Sequence, residues 1–208
     1  MKILIADDHE LVRRGISKIL IEEFPLSKIV ETFSGIEVEK KVRTEKWDLI
    51  IMDVSMPDKT GLEVLKQLRA ESIKTPVLIL SIHPENQYSL RVLKAGGDGY
   101  ISKNCLHSDF INAVKIVLSG KKYMSNEMAQ QLASRFDDDI SKEKHELVSD
   151  RELQVMKLIA SGKTLSEIAA ELSLSITTVS TYRSRLLEKM NLKSNAELIY
   201  YAFNNNLV

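Results

Sequence analysis

The chain has 208 residues, 44% hydrophobic and 28% charged, with 29 basic side chains balanced by 29 acidic ones. That length holds one large or two small domains, and the composition fits a soluble globular protein; zero net charge neither requires nor excludes a nucleic-acid partner. The first apolar run, Ile3 to Ala6, is too short for a signal-peptide core, no stretch approaches a membrane span, and the single cysteine, Cys105, has no intramolecular disulfide partner, so a cytoplasmic protein is expected.

The first 120 residues alternate strand and helix. Ile3 to Ala6 reads as a strand ending in Asp7-Asp8-His9, and Leu11, Val12, Ile16, Ile19 and Leu20 follow at helical spacing. Ile29-Val30 lies in a short second strand and Ile36 to Val42 in a second helix. Leu49 to Met52 is an unalternating apolar run, the pattern of a strand buried on both faces of a parallel sheet, and it ends abruptly at Asp53. A third helix follows through Leu62, Val64, Leu65 and Leu68, then a strand from Pro76 to Leu80 ending at Ser81, and a helix from Tyr88 to Ala95. The fifth strand, Gly99 to Ser102, ends at Lys103, and its helix runs through Leu118 and is closed by Gly120. Five such units imply an α/β doubly wound, five-stranded parallel sheet with right-handed crossovers.

In this reading Asp7, Asp8, Asp53, Ser81 and Lys103 fall at carboxyl ends of strands, along the edge where open α/β sheets bind their ligands. Each taken singly is also a good turn residue. Three carboxylates brought together raise one another's pKa unless a cation neutralises them, and a hard, oxygen-preferring ion that keeps several waters, Mg²⁺, suits them. A lysine ammonium and a serine hydroxyl facing such a cluster suit a phosphoryl group, whose transfer depends on positioning and charge stabilisation. The chemistry implied is phosphorylation of an aspartate.

With Asp7-Asp8, Asp53-Val54-Ser55-Met56-Pro57, Ser81 and Lys103 in these places, residues 1–120 resemble the flavodoxin-like receiver domain of two-component response regulators. The resemblance implies that Asp53 is the phosphoacceptor, served by the phosphohistidine of a sensor histidine kinase. It implies that Asp8 ligates Mg²⁺ directly, Asp7 through water and Ser55 through its backbone carbonyl. It also implies that Lys103 pairs with the phosphoryl oxygens, that Ser81 hydrogen-bonds one of them, and that Tyr100 turns inward as Ser81 is drawn in. Many receivers carry proline after the lysine, often through a cis peptide; here Asn104 follows, and a cis bond is not expected because it costs about 3 kcal/mol without proline. His83 reads as a solvent-exposed loop residue.

Residues 121–147 form the expected linker. A short helix from Ser125 to about Phe136 precedes Asp137 to Glu146, a charged run that cannot fold alone and either stays extended or continues the helix. Residues 148–208 read as helical throughout. Ser149 with Glu152 and Thr164 with Glu167 have the spacing of capping boxes, Gly162 stops the first helix, Ser175 caps a third, and a fourth begins near Asn195.

Two short helices joined by Ser173-Leu174-Ser175, the second with a polar face of Thr177, Thr178, Ser180, Thr181, Arg183 and Ser184, match a small all-α helix-turn-helix domain. A helical bundle with a solvated face has the same periodicity. Ser149-Asp150-Arg151-Glu152, Leu158 to Gly162, Glu167-Ile168-Ala169, Thr178-Val179, Arg183, and Leu192 with Ala196-Glu197-Leu198 resemble the LuxR-type DNA-binding domain. Together with the receiver, they place the chain in resemblance to the NarL/FixJ class.

The function so implied is a phosphorylation-controlled DNA-binding transcription regulator, catalysing only its own phosphoryl transfer and loss. It would bind double-stranded promoter DNA as a phosphorylated homodimer, with RNA polymerase as a further partner and no membrane contact. Thr177, Thr178, Ser180, Thr181, Arg183, Arg185 and Lys189 are the expected DNA contacts, and Leu198 and Tyr201 the expected dimer contacts. The family often has lysines where this chain has Thr177 and Ser180, and from Val148 onward seven basic residues face six acidic ones, so non-specific affinity should be weak. The alternative is a regulator that binds DNA or a partner constitutively; a metal-dependent phosphohydrolase lacks a visible acid/base pair.

Overall fold

The computed structural model describes residues 1–82, 85–130, 147–205 and 207–208, without the side chains of 85–87. The chain divides into two compact units, Met1–Asp138 and Asp139–Val208.

The first unit is built on five parallel strands, β1 (Lys2–Ala6), β2 (Lys28–Thr32), β3 (Leu49–Asp53), β4 (Val77–Ser81) and β5 (Gly99–Ser102), in the order β2-β1-β3-β4-β5. Helices α1 (Glu10–Glu23), α2 (Gly35–Thr44), α3 (Gly61–Ala70), α4 (Glu85–Lys94) and α5 (His107–Leu118) connect and follow them. Every residue of β3 and β4 is buried, which explains the continuous apolar runs: each side of the pleat needs a hydrophobic face. Ile3, Ile5, Leu49, Ile51, Leu78, Leu80 and Ile101 share one core with Ile16 and Leu20 of α1 and Phe110, Val114 and Val117 of α5.

The fourth strand begins at Val77, one residue later than the apolar run suggested. Pro76 has no N–H to give, and only its carbonyl takes part, accepting from Ile50 N at 2.9 Å. The first ten residues of the expected linker pack on the receiver and enter the helix expected from Ser125. Tyr123 N donates to Asp98 O at 2.8 Å and its ring packs on the receiver core, while residues 126–130 are helical (α6) with Met128 buried. The rest of that expected helix, its charged run, and His83 lie outside the described residues. There is no cis peptide among the described residues, as Asn104 after Lys103 requires.

The second unit holds α7 (Asp150–Ala160), α8 (Leu165–Glu171), α9 (Ile176–Met190) and α10 (Asn195–Asn204). Both capping boxes form: Ser149 and Glu152 exchange bonds at the start of α7, Thr164 and Glu167 at the start of α8. Ser173 takes a positive φ of 53° in the turn between α8 and α9, and Ser175 accepts from Thr178 N to open α9. α7 packs against α9 and α10, and α8 against α9. Among the described residues no helix is long and apolar enough to cross a membrane.

Candidate functional site

The register of the sheet brings the expected receiver residues together. Ala6 pairs with Met52, Asp53 with Leu80, and Ser81 with Ser102, so Asp7, Asp53, Ser81 and Lys103 end four adjacent strands on one edge. Lys103 N donates to Ser81 O at 2.8 Å and Val54 N to Leu80 O at 3.2 Å, carrying the ladder one residue past the strands. α3 begins hard against the acceptor: Gly61 N donates to Val54 O at 2.9 Å, and a Cβ on Gly61 would fall 2.0 Å from the Asp53 carbonyl oxygen. Only glycine lets the helix start that close.

Lys103 bridges two carboxylates, its Nζ 2.6 Å from Asp7 Oδ2 and 2.9 Å from Asp53 Oδ2, with all three side chains at least nine-tenths buried. Asp8 stands more open beside them. Ser81 is fully buried and Tyr100 is 1% exposed, its ring already inside. Burial pushes the Asp53 carboxyl up, Lys103 draws it down, and Asp7 pushes it up again, for a net rise to about 6. Burial lowers the Lys103 ammonium, but Asp53 and Asp7 more than offset it, and the net direction is upward. One ammonium thus serves two buried carboxylates, with a third alongside.

This excess of negative charge fits a divalent cation. Among the described residues Asp53 Oδ1 is buried with no hydrogen-bond partner, and one ligand atom each from Asp7, Asp8, His9 and Asp53 lie within 4.8 Å of one another. The oxygen-rich donor set is that of a hard ion. Sequence reasoning assigned no role to His9. Its N–H donates to Asp7 Oδ1 at 2.9 Å and its Nδ1 lies 2.7 Å from Asp8 Oδ1, so it holds both acids from one side. Arg13, also missed, donates from Nη1 to Asp7 O at 2.6 Å, one helical turn into α1.

The raised Asp53 pKa fixes the direction of a pH effect on stability. Between about pH 4 and pH 6 the folded chain holds a proton that the unfolded chain has released, so stability falls as pH rises through this window. Above it, the ionised Asp53 costs about 3 kcal/mol in protein free of divalent ions. Asp53→Asn should therefore raise the thermal midpoint at pH 8 in the presence of a chelator, and the difference should shrink below pH 4. Calorimetry across pH checks this; equal midpoints at pH 8 contradict it.

In the second unit the expected DNA contacts divide into two groups. Thr177, Thr181 and Arg185 lie exposed on α9, as does Ser184 of the same polar face, and Ser175, Thr177, Thr178, Thr181, Tyr182 and Arg185 line a shallow depression of about 350 Å³. The hydroxyl of Thr181 donates to Thr177 O at 3.0 Å, a local bond that leaves its oxygen able to accept. Ser180 is half-buried. Arg183 and Lys189 are engaged within the unit: Arg183 Nε donates to Asn195 Oδ1 at 2.6 Å, and Lys189 Nζ to the buried Glu152 Oε2 at 2.7 Å. Arg185 is the one expected cation of α9 without such a bond among the described residues.

The expected dimer contact at Leu198 needs correction. Leu198 is fully buried, on a helix that packs against α7, and has no surface to offer a second subunit. Tyr201 is half-buried. The large exposed apolar residues of α10 are Ile199, Tyr200 and Phe203, the last two more than 70% exposed. Helical spacing alone did not tell which stripe faced inward.

A doubly wound sheet with clustered aspartates and a lysine at its carboxyl edge, followed by a four-helix unit containing a helix-turn-helix, defines a signalling receiver joined to a DNA-binding module. Residues 3–115 match the family described as response regulator receiver domain, and residues 146–202 match bacterial regulatory proteins of the luxR family. The chain is 34% identical over 208 residues to the response regulator UvrY of Escherichia coli (strain K12), covering 100% of this chain and 95% of that one. It is 35% identical to the oxygen regulatory protein NreC of Staphylococcus carnosus, covering 100% and 99%. Among solved structures, RcsB from Salmonella enterica serovar Typhimurium superposes with a TM-score of 0.64 at 23% identity over 97% of this chain and 98% of its own, a likeness of fold. The chain belongs to the response regulators of the NarL/FixJ class, with a receiver and a LuxR-type DNA-binding domain.

Proposed function

We propose that Asp53 accepts a phosphoryl group from the phosphohistidine of a sensor histidine kinase, and that this controls binding to double-stranded promoter DNA. The observation that carries the reading is the Lys103 ammonium held between Asp7 and Asp53 at 2.6 and 2.9 Å beside a cluster of carboxylates. The P–N bond of the donor breaks, an Asp53 Oδ–P bond forms, and the imidazole leaves with the shared electron pair. Asp7, Asp8, Asp53 and the Ser55 carbonyl would hold Mg²⁺, which would supply charge neutralisation for the incoming phosphoryl oxygens. Lys103 pairs with one of those oxygens and Ser81 donates to another, which draws Ser81 toward Asp53. Tyr100 then holds the space behind it. The change shifts a pre-existing equilibrium rather than creating a new state.

The output is a homodimer on DNA, formed in the cytoplasm, with RNA polymerase as a further partner. RcsB, whose fold this chain shares, has been solved as dimers bound to DNA and on promoter rprA with the phosphomimetic BeF3−. The apolar stripe of α10 supports a second copy as the occupant of that face: Phe203 lies one helical turn from both Ile199 and Tyr200, and the three are exposed together.

Sedimentation with and without a small acyl phosphate and Mg²⁺ tests this reading. The parent should shift from monomer to dimer. Phe203→Glu should leave the fold intact and abolish the shift, whereas Leu198→Ala should cost about 3 kcal/mol of stability as a core truncation. A Phe203→Glu chain that dimerises as the parent does would remove α10 from the interface.

A further inference from the structure

Asp58 lies in the segment between β3 and α3 that carries Ser55, yet its carboxylate bonds to a distant part of the chain. Oδ1 accepts from Gly35 N at 3.0 Å, and Oδ2 accepts from Ile36 N at 2.9 Å and from the Ser34 hydroxyl at 2.5 Å. These partners are 22 to 24 residues away in sequence. Ser34 itself takes the next two amides, Glu37 N on its hydroxyl and Val38 N on its carbonyl. Of the amides that the first turn of α2 leaves open, those of Gly35, Ile36 and Glu37 all have side-chain acceptors, and Asp58 supplies two of them, while the Val38 bond is the first of the helix itself. A carboxylate at a helix N-terminus also meets the favourable end of its dipole. Burial would push the Asp58 carboxyl up, but its bonds to Ser34, Ile36, Gly35 and Lys59 outweigh it and hold the group below its ordinary value.

The neighbours of Asp58 reinforce the join. Lys59 Nζ pairs with Glu39 on α2, and a Cβ on Gly35 would lie 2.6 Å from the Lys59 carbonyl oxygen, so loop backbone lies directly on the start of the helix. At its other end the loop is closed by the bond from Gly61 N to Val54 O. Ser55, Met56 and Pro57 are strung between these two fixed points. Capping α2 needs one side-chain oxygen, and Ser34 provides it. A second acceptor reaching across from the acceptor loop constrains the loop as well as the helix.

We propose that Asp58 is a positioning residue for the cation site: by clamping the loop to the N-terminus of α2, it holds the Ser55 carbonyl where it completes the ligand set beside Asp53. This rests on the reading of Asp53 and its neighbours as a Mg²⁺-assisted phosphoacceptor site. Groups that orient metal ligands typically contribute tenfold or more to metal affinity, so Asp58→Ala should raise the Mg²⁺ dissociation constant about tenfold. Asp58→Asn keeps one acceptor oxygen and should rescue most of the loss. Ser34→Ala removes one of the donors to Asp58 without touching the loop, and should raise the constant about two- to threefold on the same argument.

The experiment is a Mg²⁺ titration of the full chain and the three variants by calorimetry, paired with labelling by a small acyl phosphate at limiting and saturating Mg²⁺ and with thermal midpoints. The expected result is weaker Mg²⁺ binding in Asp58→Ala, slower labelling at limiting Mg²⁺, and recovery of the labelling rate at saturation. A lowered midpoint with an unchanged Mg²⁺ constant in Asp58→Ala would make Asp58 a helix cap only and overturn the proposal, and should Asp58→Ala fail to fold, the same result in Ser34→Ala would overturn it. Parent protein that labels without binding Mg²⁺ would overturn both this proposal and the reading beneath it.

Discussion

Asp53→Asn is expected to lose all Mg²⁺-dependent labelling by a small acyl phosphate or by a phosphorylated kinase. The amide keeps the size of the carboxylate but has no anionic oxygen to attack phosphorus. Asp7 is a poor substitute, because its oxygens already take the Lys103 ammonium and the His9 N–H in a fully buried position. Asp8 is more open and pairs with His9, so it is the residue to watch for residual labelling. Mass spectrometry of the labelled parent should place the added phosphoryl group on Asp53 alone. Labelling of Asp53→Asn at the parent's rate would mean that another side chain is the acceptor. The reaction also needs Asp53 ionised, and without a cation its carboxyl is pushed up to about 6. Lowering pH through 6 should therefore slow labelling, and rising Mg²⁺ should move that dependence to lower pH, because the bound cation favours the charged form.

The receiver was legible because its signals are local and repeated. Each strand is a short apolar run that ends in a functional residue, and parallel pairing then carries all those ends to one edge. Asp53, Lys103, Ser81 and Asp7 came together for that reason. Asp58 and Arg13 escaped notice for the opposite reason: one bonds across more than twenty residues and the other to a backbone carbonyl, and neither contact leaves a pattern in the adjacent sequence. The second unit shows a different limit. Capping boxes marked the starts of α7 and α8, since both partners lie within four residues. The periodicity of α10 showed that it had an apolar stripe, but with apolar residues on several sides it did not separate the buried Leu198 from the exposed Tyr200 and Phe203. Likewise, a basic residue on α9 could not be told from a free one until Glu152 and Asn195 were seen to occupy Lys189 and Arg183.

That occupation changes what DNA binding should look like. Counting Arg183, Arg185 and Lys189 as phosphate contacts in both subunits gives about six neutralised phosphates and a slope of log affinity against log salt near −5. If Arg183 stays on Asn195 and Lys189 on Glu152, α9 contributes one cation per subunit through Arg185, and its share of the slope falls to about −2 for a dimer. Breaking the Lys189 bond would leave the Glu152 carboxylate, which is 2% exposed, with its capping bond to Ser149 N but no cation, and such a loss opposes any gain from a phosphate. Sequence preference should then come from the hydroxyls and methyls of Thr177, Thr178 and Thr181, which read base edges and thymine methyls without adding charge. With so little charge per subunit, two half-sites about one helical turn apart should bind far more tightly than one. Fluorescence anisotropy of the phosphorylated chain on full and half sites, across a salt series, measures all of this. Arg185→Ala should flatten the slope by about 2 on the full site, whereas Lys189→Met should lower thermal stability and leave the slope nearly unchanged. A parent slope near −5 that Lys189→Met reduces would show that Lys189 leaves Glu152 for the DNA, and half-site binding as tight as full-site binding would rule out dependence on the dimer.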